Sequence, residues 1–218
     1  MASASGPSVR TRMLLGSART ERRPKGWGGV VLATCAIYGT LAAIAVGAAL
    51  VQGRSPLRTD SWLFPEAHAV DHLWSLLGGA VLATGTVILS RLFVRQWEWA
   101  RALHRSLRPA TRQASDAALV ALGIASAFGE EFFFRGLLVP ALGLALSSIA
   151  FGLLHQLEGR GRWVWAVWAT VMGVLFGALF LATGSLLGPL VAHAAINVAN
   201  LRFLRDTDPG PAKKRALF

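Results

Sequence analysis

The sequence predicts an all-α fold: a polytopic membrane helix bundle of about six transmembrane helices plus one interfacial amphipathic helix. Three observations predict it. Of 218 residues, 54% are hydrophobic and only 15% charged, against roughly 25% charged in average globular chains. Six apolar segments reach or approach the ~20 residues needed to cross a bilayer. The basic residues collect in the connections between those segments rather than along one soluble face.

In chain order, residues 1–26 form a basic arm, with Arg10, Arg12, Arg19, Arg22, Arg23 and Lys25 against the single acid Glu21. This composition reads as a disordered cytoplasmic segment. The apolar run that follows, 27–51, is too long for the core of a cleaved signal peptide and is succeeded by further spans, so it reads as a retained signal anchor. The second span is 72–93. Residues 94–112 then mix Trp97 and Trp99 with Arg95, Arg101, Arg105, Arg108 and Arg112, the pattern of a basic amphipathic helix lying on a membrane surface. Spans three to six are 116–139, 142–157, 163–183 and 185–204. The fourth is short and needs burial among its neighbours. Thr183-Gly184-Ser185 and Leu187-Gly188-Pro189 supply a tight turn and a helix start between spans five and six. Gly173 and Gly177 form a small-xxx-small packing face. A chain of this length has room for one domain, taken as 27–204 with a motif core at 115–204, followed by a basic tail at 205–218.

Charge sets the orientation. With six spans, the N-terminal arm, the 91–115 segment, the 158–162 turn and the C-terminal tail share one side, and that side carries nineteen of the 22 basic residues. The 52–71 loop opposite has Arg54 and Arg58, offset by Asp60, Glu66 and Asp71. The positive-inside rule therefore places both termini in the cytoplasm. The net charge of +11 is membrane topology rather than nucleic-acid binding, because no groove-reading module is present. Cys35 is the single cysteine, which excludes a disulfide framework, and it reads as a small packing residue.

Three charged residues stand well inside a predicted span: Glu130, Glu131 and Arg135. Ionisable groups at that depth are costly and face a partner or a water-filled cavity. Glu131 and Arg135, four apart, share a helix face and can pair, whereas Glu130 lies about 100° round the helix and points elsewhere. Two more polar positions have the i, i+4 spacing. Phe151 precedes His155 in span four, and His193 precedes Asn197 in span six. At ~1.5 Å per residue, Glu130, His155, His193 and Asn197 fall ~13, ~19, ~12 and ~18 Å from the outer ends of their spans, so all four can meet at one level. Peptide hydrolysis needs an activated water, a proton donor for the leaving amine and donors for an oxyanion. A carboxylate in a low-dielectric site suits the first two tasks. His155 can share the water, with His193 and Asn197 facing the oxyanion. Taken singly, each of these residues also reads as interhelical hydrogen-bonding glue, and Glu131–Arg135 as a structural ion pair. Phe132, Phe133 and Phe134 read as lipid-facing or packing residues.

Glu130-Glu131-x-x-x-Arg135, Phe151-x-x-x-His155 and His193-x-x-x-Asn197, in that order on successive spans, resemble the CPBP family of intramembrane proteases. This family is related to the type II CAAX prenyl endopeptidases and is also called the ABI family. The stretches "SAFGEEFFFRGLLVP" and "SSIAFGLLHQ" are similar to it as well, and the resemblance covers about residues 115–204. It implies a glutamate-dependent endopeptidase acting on a membrane-anchored protein or peptide. Glu130 would activate water with His155, His193 and Asn197 would form the oxyanion hole, and Arg135 would orient the site through Glu131. No cofactor is expected. The zinc alternative, with Glu130, His155 and His193 as ligands, leaves Asn197 unexplained. The Arg- and Ala-rich composition points to a bacterial inner membrane rather than to prenylated substrates. One bacterial branch of the family, the myxosortase type, trims C-terminal sorting tails. Two readings compete: a non-catalytic adaptor that binds a partner's transmembrane helix, and a proton-coupled transporter. An adaptor has no need of all four polar residues together, and no transporter-type repeat is visible.

Overall fold

The computed structural model describes residues 26–64, 69–155 and 161–210. The N-terminal arm, most of the 158–162 turn and most of the C-terminal tail lie outside them. Among the described residues the chain is helical, with no strand beyond one isolated bridge between Arg58 and Ser185. The helices are α1 (Trp27–Val51), α2 (Ala69–Gln96), α3 (Glu98–Leu107), α4 (Asp116–Glu130), α5 (Val139–Leu154), α6 (Arg162–Thr183) and α7 (Leu187–Asp206). A π-helical segment, Glu131–Leu138, joins α4 to α5.

The distribution of side chains is that of a protein in lipid. Small residues such as Ala42, Ala45 and Ala49 are buried on α1, while Ile37, Ile44 and Leu50 face outward. Without a hydrophobic drive between helices, close packing favours small residues at the contacts and leaves large apolar ones for the lipid. Among the described residues, four continuous helical stretches are long and apolar enough to cross a membrane: 27–51, 69–96, 116–154 and 162–183. The third would be a rod of about 58 Å if straight, but it folds back on itself at Gly143, whose φ of 82° leaves the helical region. The rings of Phe134 and Phe151 then meet at 4.8 Å, and Ser147 Oγ donates to the Phe134 carbonyl at 3.2 Å. The predicted spans three and four are thus the arms of one hairpin. The second arm, after Gly143, is about 16 Å long, half a bilayer, and its Ser147, Ser148, Phe151 and Gly152 are buried. Helix α7 supplies the sixth segment, with a polar content that includes His193, Asn197, Asn200, Arg202 and Arg205.

The surface segment also differs from its predicted bounds. Helix α2 runs on to Gln96, Trp97 breaks it, and the amphipathic α3 is ten residues long. Cys35, read as a packing residue, is exposed on α1. Phe132 and Phe134 are packing residues, 6% and 3% exposed.

Helices α2 and α7 pack tightly against each other where Ser75 and Gly79 meet Gly188. A Cβ on Gly188 would lie 2.0 Å from the Ser75 carbonyl oxygen. Ser75 Oγ donates to the Ser185 carbonyl and accepts from the Gly188 amide, each at 2.9 Å. The 54–64 connection runs over this end of the bundle, bonding its backbone to residues 181, 182, 184 and 186.

Candidate active site

The π-helical segment positions the site. Pro140 has no N–H to offer the carbonyl four residues back, that of Gly136, and its ring crowds that carbonyl. Arg54 from the 52–64 connection takes the freed oxygen, Nη1 donating at 2.6 Å. The chain widens here into a π-turn, a distortion that recurs at functional sites, and Glu131 and Arg135 lie on it. Ser115 caps the start of α4, its side chain accepting from the Ala118 amide at 3.2 Å.

Glu131 and Arg135 pair as the spacing predicted, Nη1 to Oε1 at 2.9 Å, and both are almost fully buried. Arg135 Nη2 also donates to the Gly173 carbonyl at 3.3 Å. The guanidinium lies 4.6 Å from the Phe151 ring and 5.2 Å from Phe176, so aromatic faces take the part of its charge that the carboxylate does not. The structure adds a partner that the spacing did not: His193 Nδ1 is 2.7 Å from the same Glu131 oxygen. A carboxylate only accepts, so His193 donates from Nδ1, and its Nε2 is turned the other way.

Glu130 occupies that other side. Its Oε2 lies 3.6 Å from His193 Nε2 and 3.7 Å from His155 Nε2. No hydrogen-bond partner reaches this buried oxygen. His155 Nδ1 is 2.7 Å from the Phe151 carbonyl, to which it donates. Both imidazoles therefore have Nδ1 committed and Nε2 directed at Glu130. With the rings neutral, two nitrogen lone pairs and a carboxylate oxygen converge on one point. Three acceptors at these separations are suited to a bridging donor such as water.

Asn197, expected beside His193, lies one turn further along α7. Its Nδ2 donates to Ser126 Oγ at 3.1 Å. Ser126 is four residues before Glu130, so Ser126–Asn197 and Glu130–His193 form successive rungs between α4 and α7. Sequence reasoning missed Ser126, although its i, i+4 relation to Glu130 was a usable signal. It also missed Phe176, which stacks on His193 at 5.0 Å, and Tyr38 of α1, which packs against Gly129, the residue before Glu130. Tyr38 is the only tyrosine in the chain. Among the described residues no group of three or more His, Cys, Asp and Glu side chains is arranged to hold a metal ion. A groove of about 550 Å³ lies elsewhere, among Phe93, Trp99, Trp163, Trp168 and Phe203. It is apolar and includes none of the cluster residues.

Residues 113–199 match the family described as Rce1-like, type II CAAX prenyl endopeptidase. The chain is also 33% identical over 79 residues to the uncharacterized protein YpbD of Bacillus subtilis, an alignment covering 36% of this chain and 41% of that protein. It thus spans less than half the length of this relative. No solved structure matches it significantly. The segment that contains Glu130, Glu131, Arg135, His155, His193 and Asn197 is therefore the segment that matches the Rce1-like family of CAAX protease-type membrane endopeptidases.

Proposed function

We propose that the protein is an intramembrane endopeptidase that hydrolyses a peptide bond of a membrane-anchored polypeptide with water activated by Glu130 and His155, without a metal. The observation that carries this reading is that His155 Nε2 and His193 Nε2 both lie within 3.7 Å of the buried Glu130 Oε2.

The attacking water gives a proton to Glu130 as its oxygen bonds to the scissile carbonyl carbon. The carbonyl π-electrons move to oxygen, forming the oxyanion. His155, held by the Phe151 carbonyl, accepts the second hydrogen bond of the water and orients it. Asn197 Nδ2 turns from Ser126 to the oxyanion, and His193 donates from Nε2 when its ring carries a second proton. Glu131 stabilises that imidazolium at Nδ1. On collapse the C–N bond breaks, the proton on Glu130 passes to the leaving nitrogen, and the product acid gives up the remaining water proton to the amine, leaving a carboxylate and an ammonium group. A positioned acid–base group contributes ~10²–10⁴ in rate and an oxyanion donor ~10²–10³.

Both termini lie in the cytoplasm, as the charge asymmetry requires, and the substrate is a membrane-anchored protein whose C-terminal tail is removed. The test is a comparison of membrane proteomes from wild-type and deletion strains, followed by cleavage of the accumulating protein in liposomes. A tail-bearing protein that persists in the deletion strain and is cut by wild-type protein, but not by Glu130→Gln, supports the reading. Full cleavage by Glu130→Gln overturns it. Cleavage that is lost to a chelator and restored by zinc overturns the metal-free mechanism.

A further inference from the structure

The amphipathic helix α3 borders a groove that the peptidase chemistry leaves unused. At about 550 Å³ it falls within the ~300–1,000 Å³ usual for small-ligand pockets, and α2, α3, α6 and α7 supply its walls. Aromatic rings make much of it: Phe93 of α2 lies 5.7 Å from Trp99 of α3 and 6.0 Å from Trp168 of α6. Its margin carries a fixed cation. Arg91 Nη1 donates to Ser90 Oγ at 2.8 Å and to Asn200 Oδ1 at 2.5 Å, and Nη2 donates to the Ala199 carbonyl at 2.9 Å. The guanidinium lies 4.0 Å from the Phe203 ring, and Ser90, Asn200 and Phe203 all line the groove. These partners are neutral, so the charge of Arg91 is not compensated by them. Arg95, one turn on, is exposed and forms no ion pair among the described residues. Glu98 is the single acid between Arg91 and Arg112, and Arg101 and Arg105 share it. An excess of positive charge thus borders an apolar groove.

We propose that this groove binds one anionic phospholipid, with an acyl chain among the aromatic rings and the phosphate against Arg91 and Arg95. The groove opens outward along α6, where Val167 and Val171 line it and are exposed. An apolar groove open to a bilayer is filled by what the bilayer contains, and close contact with the rings holds the chain, since lipid gains no hydrophobic drive by moving there. The chain is common to all phospholipids, so the arginines decide which one is retained. A guanidinium bonds phosphate oxygens strongly, and the three bonds that anchor Arg91 use fewer donors than it has. A headgroup of net negative charge is drawn to a basic cluster at the membrane surface, whereas a zwitterionic one brings its own cation. The site is separate from the Glu130 cluster and independent of the chemistry assigned to it.

The test is native mass spectrometry of the full chain in detergent, with dioleoyl phosphatidylglycerol or dioleoyl phosphatidylcholine added at equal concentration. One phosphatidylglycerol adduct is expected, bound about tenfold or more tightly than phosphatidylcholine. Arg95→Gln is expected to weaken phosphatidylglycerol about fivefold and to leave phosphatidylcholine unchanged. Adding Arg91→Gln is expected to remove the preference. Val167→Phe with Val171→Phe, one turn apart on α6, fills the groove and is expected to abolish the adduct of either lipid. Equal affinity for the two lipids overturns the proposal, as does a preference that Arg95→Gln leaves untouched. A phosphatidylglycerol adduct that survives the valine replacements places the lipid elsewhere and also overturns it. A dimer that carries no lipid assigns the groove to a second copy of the chain, with the same consequence. If either double variant fails to fold, Arg95→Gln alone decides, because its side chain is exposed.

Discussion

His193 Nδ1 and Arg135 Nη1 bond to the same oxygen of Glu131, at 2.7 and 2.9 Å. That shared acceptor links the guanidinium to the imidazole facing Glu130. The two adjacent carboxylates therefore differ in their partners: Glu131 accepts two hydrogen bonds through Oε1, whereas Oε2 of Glu130 faces two imidazole nitrogens at 3.6 and 3.7 Å.

Glu130→Gln keeps the size and most of the packing of the side chain while removing the base. Cleavage of a quenched-fluorophore reporter with one transmembrane helix and a C-terminal tail is expected to fall ~10²-fold or more. The amount of monodisperse protein recovered by size-exclusion chromatography is expected to stay near wild type. A misfolded Glu130→Gln beside a well-folded, inactive Glu131→Ala would reverse the two assignments.

Glu131→Ala leaves both Arg135 and His193 Nδ1 without their acceptor. Breaking a buried pair from one side costs about 3–5 kcal/mol, so folded yield and unfolding temperature are expected to drop. Arg135→Ala is expected to do the same. Replacing Glu131 with Leu and Arg135 with Met together is expected to recover much of the yield, since apolar residues of similar size are often as stable as a buried pair. Activity is not expected to return, because His193 still lacks the carboxylate that holds its ring. Thermal unfolding and reporter cleavage, measured on the same preparations, separate the two effects.

The rung formed by Ser126 and Asn197 gives an ordered pair of outcomes. Asn197→Ala is expected to lower kcat roughly 10²–10³-fold through loss of an oxyanion donor. Ser126→Ala removes only the resting partner of that amide and is expected to change kcat by less than about tenfold. Equal losses in the two variants, at equal folded yield, would show that the rung is structural and that Asn197 is not a donor to the reaction.

At the crossing of α2 and α7 there is no room for a side-chain carbon on Gly188, where a Cβ would fall 2.0 Å from the Ser75 carbonyl oxygen. Gly188→Ala is expected to destabilise the bundle by about 1–3 kcal/mol, the usual cost of overpacking. A thermal-unfolding scan in detergent checks this, and an unchanged midpoint would mean that the two helices are not in this register.

His104, on the surface helix α3, supplies a pH dependence. Burial holds its imidazole below the usual histidine value of 6.5, and Arg108 and Arg91 act in the same direction against the opposing effects of the Thr207 carbonyl and Asp208. Its Nε2 lies 2.9 Å from the Thr207 carbonyl, to which it donates. Because the folded state binds this proton less readily than the unfolded chain, the contribution is fully present above the unfolded value. It is lost as pH falls through the lowered folded value. Protease sensitivity near 207–210 is expected to rise below about pH 6.5. In His104→Gln, which does not titrate, the sensitivity is expected to stay flat across that range.

The sequence alone determined the bundle, because runs such as 27–51 and 163–183 have no soluble fate and hydrocarbon requires every backbone polar group to bond within its own helix. It also determined which charged residues needed partners, and the Glu131–Arg135 pairing followed from helical spacing on one element. Tertiary structure decided everything that passes between elements. A 3.6-residue period does not say that Pro140 and Arg54 open a π-turn at Glu131, nor that the run 116–154 reverses at Gly143. It cannot say that His193 bonds Glu131 while facing Glu130, or that Gly129 admits Tyr38 from a helix ninety residues away in the chain. Periodicity fixes angles about one axis. The distance between axes is set by which small residues meet, and here those contacts brought the separate polar groups together.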